Sequence, residues 1–313
     1  MTFQPLFNNP HLQTIAGAWL REGTIRSRRE RSVRIPSSQG DELLGTWEVA
    51  PGDRLLVVVH GLGGSRHAGH GRSLGRIWRK RGLGPVLRLG LRGSEQIPEV
   101  PRLYHGGSWE DLEACWNWLG DWGPCSIWVG LSLGANILVQ WLGRSGRLPA
   151  AAVSVCNPWN LRACAEHLET SWWGRNYRRR LVERLKPRAL QICRRFPGSM
   201  DEQRILNATT FAEYDLAVTV PLHPFTDLND YYDSASSDQY LEKVRSPLLC
   251  LDALDDPLVN ARPRTRQAHI DHELTPLGGH LGFLGSDPLF WMEERIADWA
   301  QRRLGRSRIV MVT

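Results

Sequence analysis

The sequence predicts an α/β fold: a mostly parallel central sheet with helices on both faces and a helical cap insertion. Three observations predict it. Apolar runs of strand length, LLVVV (55–59), SIWVG (126–130), AAAVSVC (150–156) and PLLCLDA (247–253), read as strands buried on both faces. Stretches with helical spacing separate the first three of them. That rhythm stops at Asn157 and resumes only after about residue 230, with several helical signals and no strong strand signal between.

In chain order, SVRIP (32–36) and LLGTWEV (43–49) predict a hairpin, with SSQGDE as its turn. A helix is expected over about 68–82, then a short strand PVLRL (85–89), then a helix in DLEACWNWL (111–119). LGANILVQWLG (133–143) reads as the helix after the 126–130 strand. Within the insertion, Leu181, Leu185, Leu190 and Phe196 are expected to line a helix face that Pro187 interrupts. A last strand in ELTPL (273–277) and a terminal helix near 287–303 close the chain. The division expected is an N-terminal arm (1–29), a core in two parts (30–156 and 232–313), and the cap (157–231). The cap would lie over the C-terminal edges of the strands, where such sheets place ligands.

Composition narrows the class. The chain has 313 residues, 42% hydrophobic and 23% charged, which excludes disorder, collagen and coiled coil. No run approaches the roughly 18 apolar residues of a membrane span. The N-terminus carries Asn, His and Gln where a signal peptide needs an apolar centre. Six cysteines form neither a C-x-x-C pair nor a zinc-like cluster, so buried reduced thiols in a cytoplasmic protein are expected.

The chemistry is concentrated in three segments. GLSLG (130–134) is a G-x-S-x-G placed between a buried strand and a helix, as a nucleophile elbow requires, and it nominates Ser132. A serine hydroxyl needs a base, and His280 in GGHLGF (278–283) follows the last strand-like run. DALDDPLV (252–259) supplies the acid that would orient the imidazole. Asp256 stands three residues before Val259 and is preferred, with Asp255 as the alternative. The developing oxyanion would be held by the Leu133 N–H and by the Leu62 N–H of HGLGG (60–64). That loop lacks the Lys-Ser/Thr ending of a P-loop and the spacing of a dinucleotide fingerprint. His67 and His70 have an H-x-x-H spacing without nearby acids, so no metal is expected and a pocket-side loop is preferred. Trp172 and Trp173 are expected in core or cap packing, or lining an acyl pocket. RGSEQ (92–96) reads as a loop without an assigned role.

Taken in order, NPHLQTI (9–15), HGLGGS, GLSLGAN, YYDSASS (231–237), ALDDP and GGHLGF resemble the YheT-like branch of the α/β-hydrolases, related to animal ABHD lipid hydrolases. The resemblance runs from Asn9 to Phe283 and is weakest over about 160–210. It implies an α/β-hydrolase fold and a carboxylic ester hydrolase with Ser132 as nucleophile, His280 as base and an Asp of the DDP motif as third member. No metal or organic cofactor is implied. A thioesterase or lactonase on the same triad, or a non-catalytic interaction protein on this fold, are the alternatives.

Thirty-nine Lys+Arg against thirty-three Asp+Glu give a formal +6. Residues 171–200 hold nine cations and one Glu, a local +8, so the rest of the chain sums to about −2. This basic, apolar-interleaved cap fits either a solvated helical face or a surface resting on anionic lipid. No nucleic-acid reader motif accompanies it. A smaller cluster, Arg26, Arg28, Arg29, Arg31 and Arg34, flanks the first hairpin.

Overall fold

The computed structural model describes residues 2–24, 27, 29–37 and 41–305. Arg26, Arg28 and most of the first hairpin turn lie outside them. Eight strands form one sheet in the order β1-β2-β4-β3-β5-β6-β7-β8. They are β1 (Glu30–Pro36), β2 (Glu42–Glu48), β3 (Leu55–Val59), β4 (Val86–Leu89), β5 (Ser126–Leu131), β6 (Ala151–Val155), β7 (Leu248–Ala253) and β8 (Ile270–Thr275). β1 and β2 pair antiparallel, and β2 joins β4 antiparallel. From β4 onward every pairing is parallel. This is the mostly parallel sheet that the buried apolar runs predict.

Alternation along the strands fills two cores. Leu55, Val57 and Val59 of β3 face one layer, with Trp128, Ile137 and Trp141. Leu56 and Val58 face the other, with Leu74, Trp78, Trp291 and Ile296. The helices concerned are α1 (Pro10–Glu22), α2 (Gly69–Lys80), α3 (Trp109–Leu119), α4 (Leu133–Ser145), α5 (Leu161–Glu169), α6 (Trp172–Arg195), α7 (Leu228–Ala235) and α8 (Trp291–Leu304). α3 and α4 contribute to the first layer, α2 and α8 to the second. Among the described residues no helix is long and apolar enough to cross a membrane.

Two local expectations need correction. Pro187 does not interrupt the insertion's main helix: α6 runs 24 residues through it. Pro187 and Glu183 are both exposed, so the carbonyl that loses its N–H partner faces water. Val182, Ala189 and Ile192 hold the opposite face in a small core with Ile205, Ala217 and Val218. The last strand, β8, begins at Ile270 and ends at Thr275, because Pro276 cannot donate to the ladder.

The N-terminal segment is more than an arm. Asn9 caps α1 by accepting from the N–H groups of His11 and Leu12. The buried face of α1 is polar: Gln13, Gly17 and Arg21. Gln13 donates to the carbonyls of Phe7 and Leu284 at 3.0 Å, and its Oε1 accepts from the Leu284 N–H at 2.8 Å. Arg21 forms a two-pronged pair with Glu293 of α8 at 2.5 and 2.9 Å, both side chains fully buried. It also donates to the Gly282 carbonyl at 2.9 Å. Removing one partner leaves a bare buried charge. Arg21→Ala should therefore lower the unfolding free energy by about 3–5 kcal/mol, whereas Arg21→Met with Glu293→Leu should recover most of it. Urea denaturation of the two variants checks this.

Candidate active site

The site gathers at the C-terminal ends of the parallel strands. Val59 pairs with Gly130 across β3 and β5, so the HGLGG loop and the GLSLG turn emerge side by side. Ser132 stands between β5 and α4 with φ 54° and ψ −122°. That conformation costs a non-glycine residue roughly 1–3 kcal/mol. Its neighbours make it obligatory. A Cβ on Gly130 would come within 2.5 Å of the Gly134 carbonyl oxygen, and one on Gly134 within 2.5 Å of the His60 oxygen. The sharp strand–turn–helix crossing thus needs glycine at both positions, and it lifts the Ser132 hydroxyl off the sheet at the N-terminus of α4.

Three side chains form one hydrogen-bonded chain. His280 Nε2 lies 2.8 Å from Ser132 Oγ, and His280 Nδ1 lies 2.8 Å from Asp256 Oδ2. The other Asp256 oxygen accepts from the N–H groups of Leu258 and Val259 at 2.8 and 3.1 Å. Asp255 points elsewhere: its Oδ1 accepts from the Gly279 N–H at 2.9 Å, bracing the loop that carries His280. The two adjacent acids therefore divide the work, one meeting the imidazole and one the backbone beside it.

The loop after β3 leaves little choice of oxyanion donor. The Gly63 N–H donates to Tyr104 Oη at 2.7 Å and the Gly64 N–H to the Gly61 carbonyl at 3.0 Å. Both are spent. Among the described residues the N–H groups of Leu62 and Leu133 have no protein acceptor. Gly61 lies so close to Ser132 that a Cβ on it would sit 3.0 Å from Ser132 Cβ.

Two residues that sequence reasoning did not single out, Thr14 and Tyr104, lie at the site beside others that it did. Thr14 Oγ1 accepts from the His280 N–H at 2.9 Å and donates to the Pro10 carbonyl at 2.7 Å. A Cβ on Gly279 would meet the Pro10 oxygen at 2.4 Å, so α1 packs directly on the histidine loop. The signal was NPHLQTI, whose polar pattern carried no apolar period. Tyr104 holds the Gly63 backbone, and burial pushes its phenol up to about 12, so it stays a neutral hydroxyl. His70 lines the cavity and hydrogen-bonds the Leu281 carbonyl, with burial pushing it down to about 3, so it is uncharged at neutral pH. Glu95 of the RGSEQ loop accepts from the Arg66 N–H and pairs with the Arg66 guanidinium, tying down the segment after HGLGG. Trp172 and Trp173 neither line the cavity nor join the core. They are 61% and 45% exposed, because α6 turns its first residues outward, and Trp173 stacks on His11 of α1.

Donor atoms of Cys156, Asp256 and His280 lie within 4.8 Å of one another, the spacing of a metal cluster. The chemistry of the set does not fit one. Burial pushes the Cys156 thiol well up, keeping it protonated, and the Asp256 and His280 atoms face each other.

A cavity of about 780 Å³ opens over Ser132. Its walls come from α1 (Ile15, Trp19), the HGLGG loop, α5 (Leu161, Leu168) and α6 (Leu181, Leu185). The volume suits a small organic ligand or part of a lipid.

No protein-family model matches the chain. It is 32% identical over 312 residues to the "Putative esterase YheT" of Escherichia coli (strain K12), spanning 94% of this chain and 90% of that one. The chain belongs to this family. Within the wider group it is 28% identical to the medium-chain fatty acid ethyl ester synthase/esterase 2 of Saccharomyces cerevisiae, over 78% of this chain and 61% of that protein. It is 32% identical to phospholipase ABHD3 of Mus musculus over 59% of this chain, but spans only 47% of that protein. Among solved structures, the Pyrococcus furiosus esterase Pf2001 superposes with a TM-score of 0.57 at 17% identity, covering 88% of this chain and 93% of that one. That likeness shows the α/β-hydrolase fold.

For this YheT relative the geometry separates the two acids experimentally. Asp256→Asn should slow fluorophosphonate labelling of Ser132 by about 10⁴-fold, by presenting the imidazole with the wrong partner. Asp255→Asn leaves an amide oxygen to accept the Gly279 N–H and loses only the charge, so it should cost no more than about tenfold. Labelling rates of the two variants, each with intact circular dichroism, decide between them.

Proposed function

We propose that the chain is a serine carboxylic ester hydrolase acting through an acyl-enzyme on Ser132. The observation that carries this reading is the Asp256–His280–Ser132 chain, with both contacts at 2.8 Å, beneath a largely apolar cavity. His280 Nε2 takes the Ser132 proton as Oγ attacks the ester carbonyl. The Asp256 carboxylate holds Nδ1–H and stabilises the imidazolium. The N–H groups of Leu62 and Leu133 receive the oxyanion, a contribution worth on the order of 10²–10³ in turnover for one donor. The tetrahedral intermediate then collapses, the C–O bond to the alcohol breaks, and His280 Nε2–H protonates the departing oxygen. Water, deprotonated by the same nitrogen, attacks the acyl carbonyl and releases the acid and free Ser132. No step in this sequence calls on a metal or organic cofactor.

Leucines from the HGLGG loop, α5 and α6 favour an apolar acyl chain. A lipid ester arriving from an anionic surface is the favoured substrate, supported by the cations of α6 around the cavity, Arg180, Arg184 and Arg188. Six cysteines without disulfides suit a reducing, cytoplasmic setting.

Ser132→Ala should abolish both fluorophosphonate labelling and turnover of p-nitrophenyl esters, with wild-type rates highest for apolar acyl chains; undiminished labelling of the variant would overturn the nucleophile. A panel of oxygen esters, thioesters and lactones checks the reaction class, and a strong thioester preference would replace it. The lipid surface has a separate measurement. Co-sedimentation with phosphatidylglycerol vesicles but not with phosphatidylcholine vesicles, lost in high salt, is the expected result.

A further inference from the structure

The cap wall of the cavity contains an acid that the hydrolytic mechanism does not use. Asp215 lines the cavity beside Phe211, Tyr214, Thr219, Tyr231 and Tyr232, and is only 8% exposed. It opens the π-helical turn Asp215–Thr219, a rare backbone form that often marks functional positions. That turn brings Thr219 Oγ1 within 2.6 Å of Asp215 Oδ1, while Tyr232 Oη donates to Oδ2 at 3.3 Å.

A carboxylate can accept about four hydrogen bonds, and these two hydroxyls fill only part of that capacity. Among the described residues no Arg, Lys or His forms an ion pair with it. Buried carboxylates are ordinarily paired, because an uncompensated charge is costly to desolvate. Burial accordingly pushes this carboxyl up to about 7. An asparagine could meet both hydroxyls without that cost, accepting from Thr219 through Oδ1 and donating through Nδ2 to Tyr232 Oη, so these two hydrogen bonds alone do not account for an acid here. What does account for it is a positive charge supplied from the cavity. The tyrosines fit the same guest, since aromatic side chains attract cations.

We propose that Asp215, with Tyr214, Tyr231 and Tyr232, forms a subsite for an ammonium group carried at the end of the substrate's acyl or alcohol chain. The ester-hydrolase reading is needed only to say what carries the ammonium; the subsite itself binds a cation whether or not Ser132 reacts.

The test has a binding arm and a kinetic arm, both at pH 8. Thermal shifts are recorded with n-alkylammonium ions of four to ten carbons and with n-alkanols of the same lengths. The ammonium series should raise Tm more than the alkanols at one or more lengths, and Asp215→Asn should abolish the difference. Tyr232→Phe keeps the ring and frees a carboxylate oxygen, so it should retain or increase that difference. In the kinetic arm, the ratio of kcat/KM for p-nitrophenyl ω-aminoalkanoates over alkanoates of equal length should fall at least tenfold in Asp215→Asn. Equal shifts from ammonium ions and alkanols would overturn the proposal, as would an unchanged preference in Asp215→Asn or its loss in Tyr232→Phe. Failure of Ser132 to label or turn over any ester would strike the hydrolase reading instead, and the binding arm would still decide the subsite.

Discussion

The position of His280 depends on how α1 grips the loop that carries it. Residues 278–283 contain two glycines at positive φ, and Leu281 (56°) and Phe283 (40°) also lie in the left-handed region. Such backbone stands only where its surroundings over-determine it. Here the surroundings are Gln13, which both donates to and accepts from the Leu284 backbone, Arg21 on the Gly282 carbonyl, and Thr14 on the His280 N–H. The Arg21–Glu293 pair then ties this clamp to α8, so segments 272 residues apart in sequence set one imidazole. A buried ion pair contributes little net stability, but breaking it is costly, and here it helps to hold the imidazole 2.8 Å from Ser132 Oγ.

The opposite half of the machinery is fixed by the sheet. β3 and β5 are adjacent and parallel, so the two loops leaving them must pass within van der Waals contact. Gly61, Gly130 and Gly134 make that approach sterically feasible. Ser132 is therefore set by backbone on one side and His280 by side-chain clamps on the other. The insertion obeys a different rule. Val182, Ile192, Ile205 and Val218 give it a small cluster, which Leu103 joins to the rest, and Trp159 and the Tyr231–Gly106 contact anchor it further. Asp215 lies in this part of the cavity wall, whereas Asp255 braces the His280 loop.

Legibility in the sequence followed the physics of each element. Strands buried on both faces advertise themselves as unbroken apolar runs, and β3, β5, β6 and β7 were all readable that way. The GLSLG turn was readable because its glycines are sterically compelled. Spacing favoured Asp256, but only geometry gave the reason: Asp255 is spent on the Gly279 N–H. α1 was invisible as an element because its amphipathicity is inverted. It buries Gln13, Gly17 and Arg21 and exposes Leu12, Ile15 and Trp19, at 52%, 47% and 74%. A rule that looks for apolar periods inside cannot find a helix whose inside is polar. Pro187 misled because its lost hydrogen bond falls on the exposed face while Val182, Ala189 and Ile192 hold the helix by packing on the other.

The inverted helix also refines what the basic cap means. Of nine cations in residues 171–200, several are engaged locally: Arg178 with Glu169, Lys186 with Glu183, Arg194 with Glu202, and Arg175 and Arg188 with backbone carbonyls. Arg180, Arg184 and Arg188 also line the cavity, which brings part of that positive charge to its wall. Ile15 and Trp19 of α1 line the same cavity. On the proposed ester-hydrolase reading, a cavity lined by these arginines and by the apolar side chains of α1 would favour an amphiphilic ester: a purely polar one gains nothing from Ile15 and Trp19, and a purely apolar one gains nothing from the arginines. The polar face of α1 thus holds the His280 loop while its apolar face joins the cavity wall.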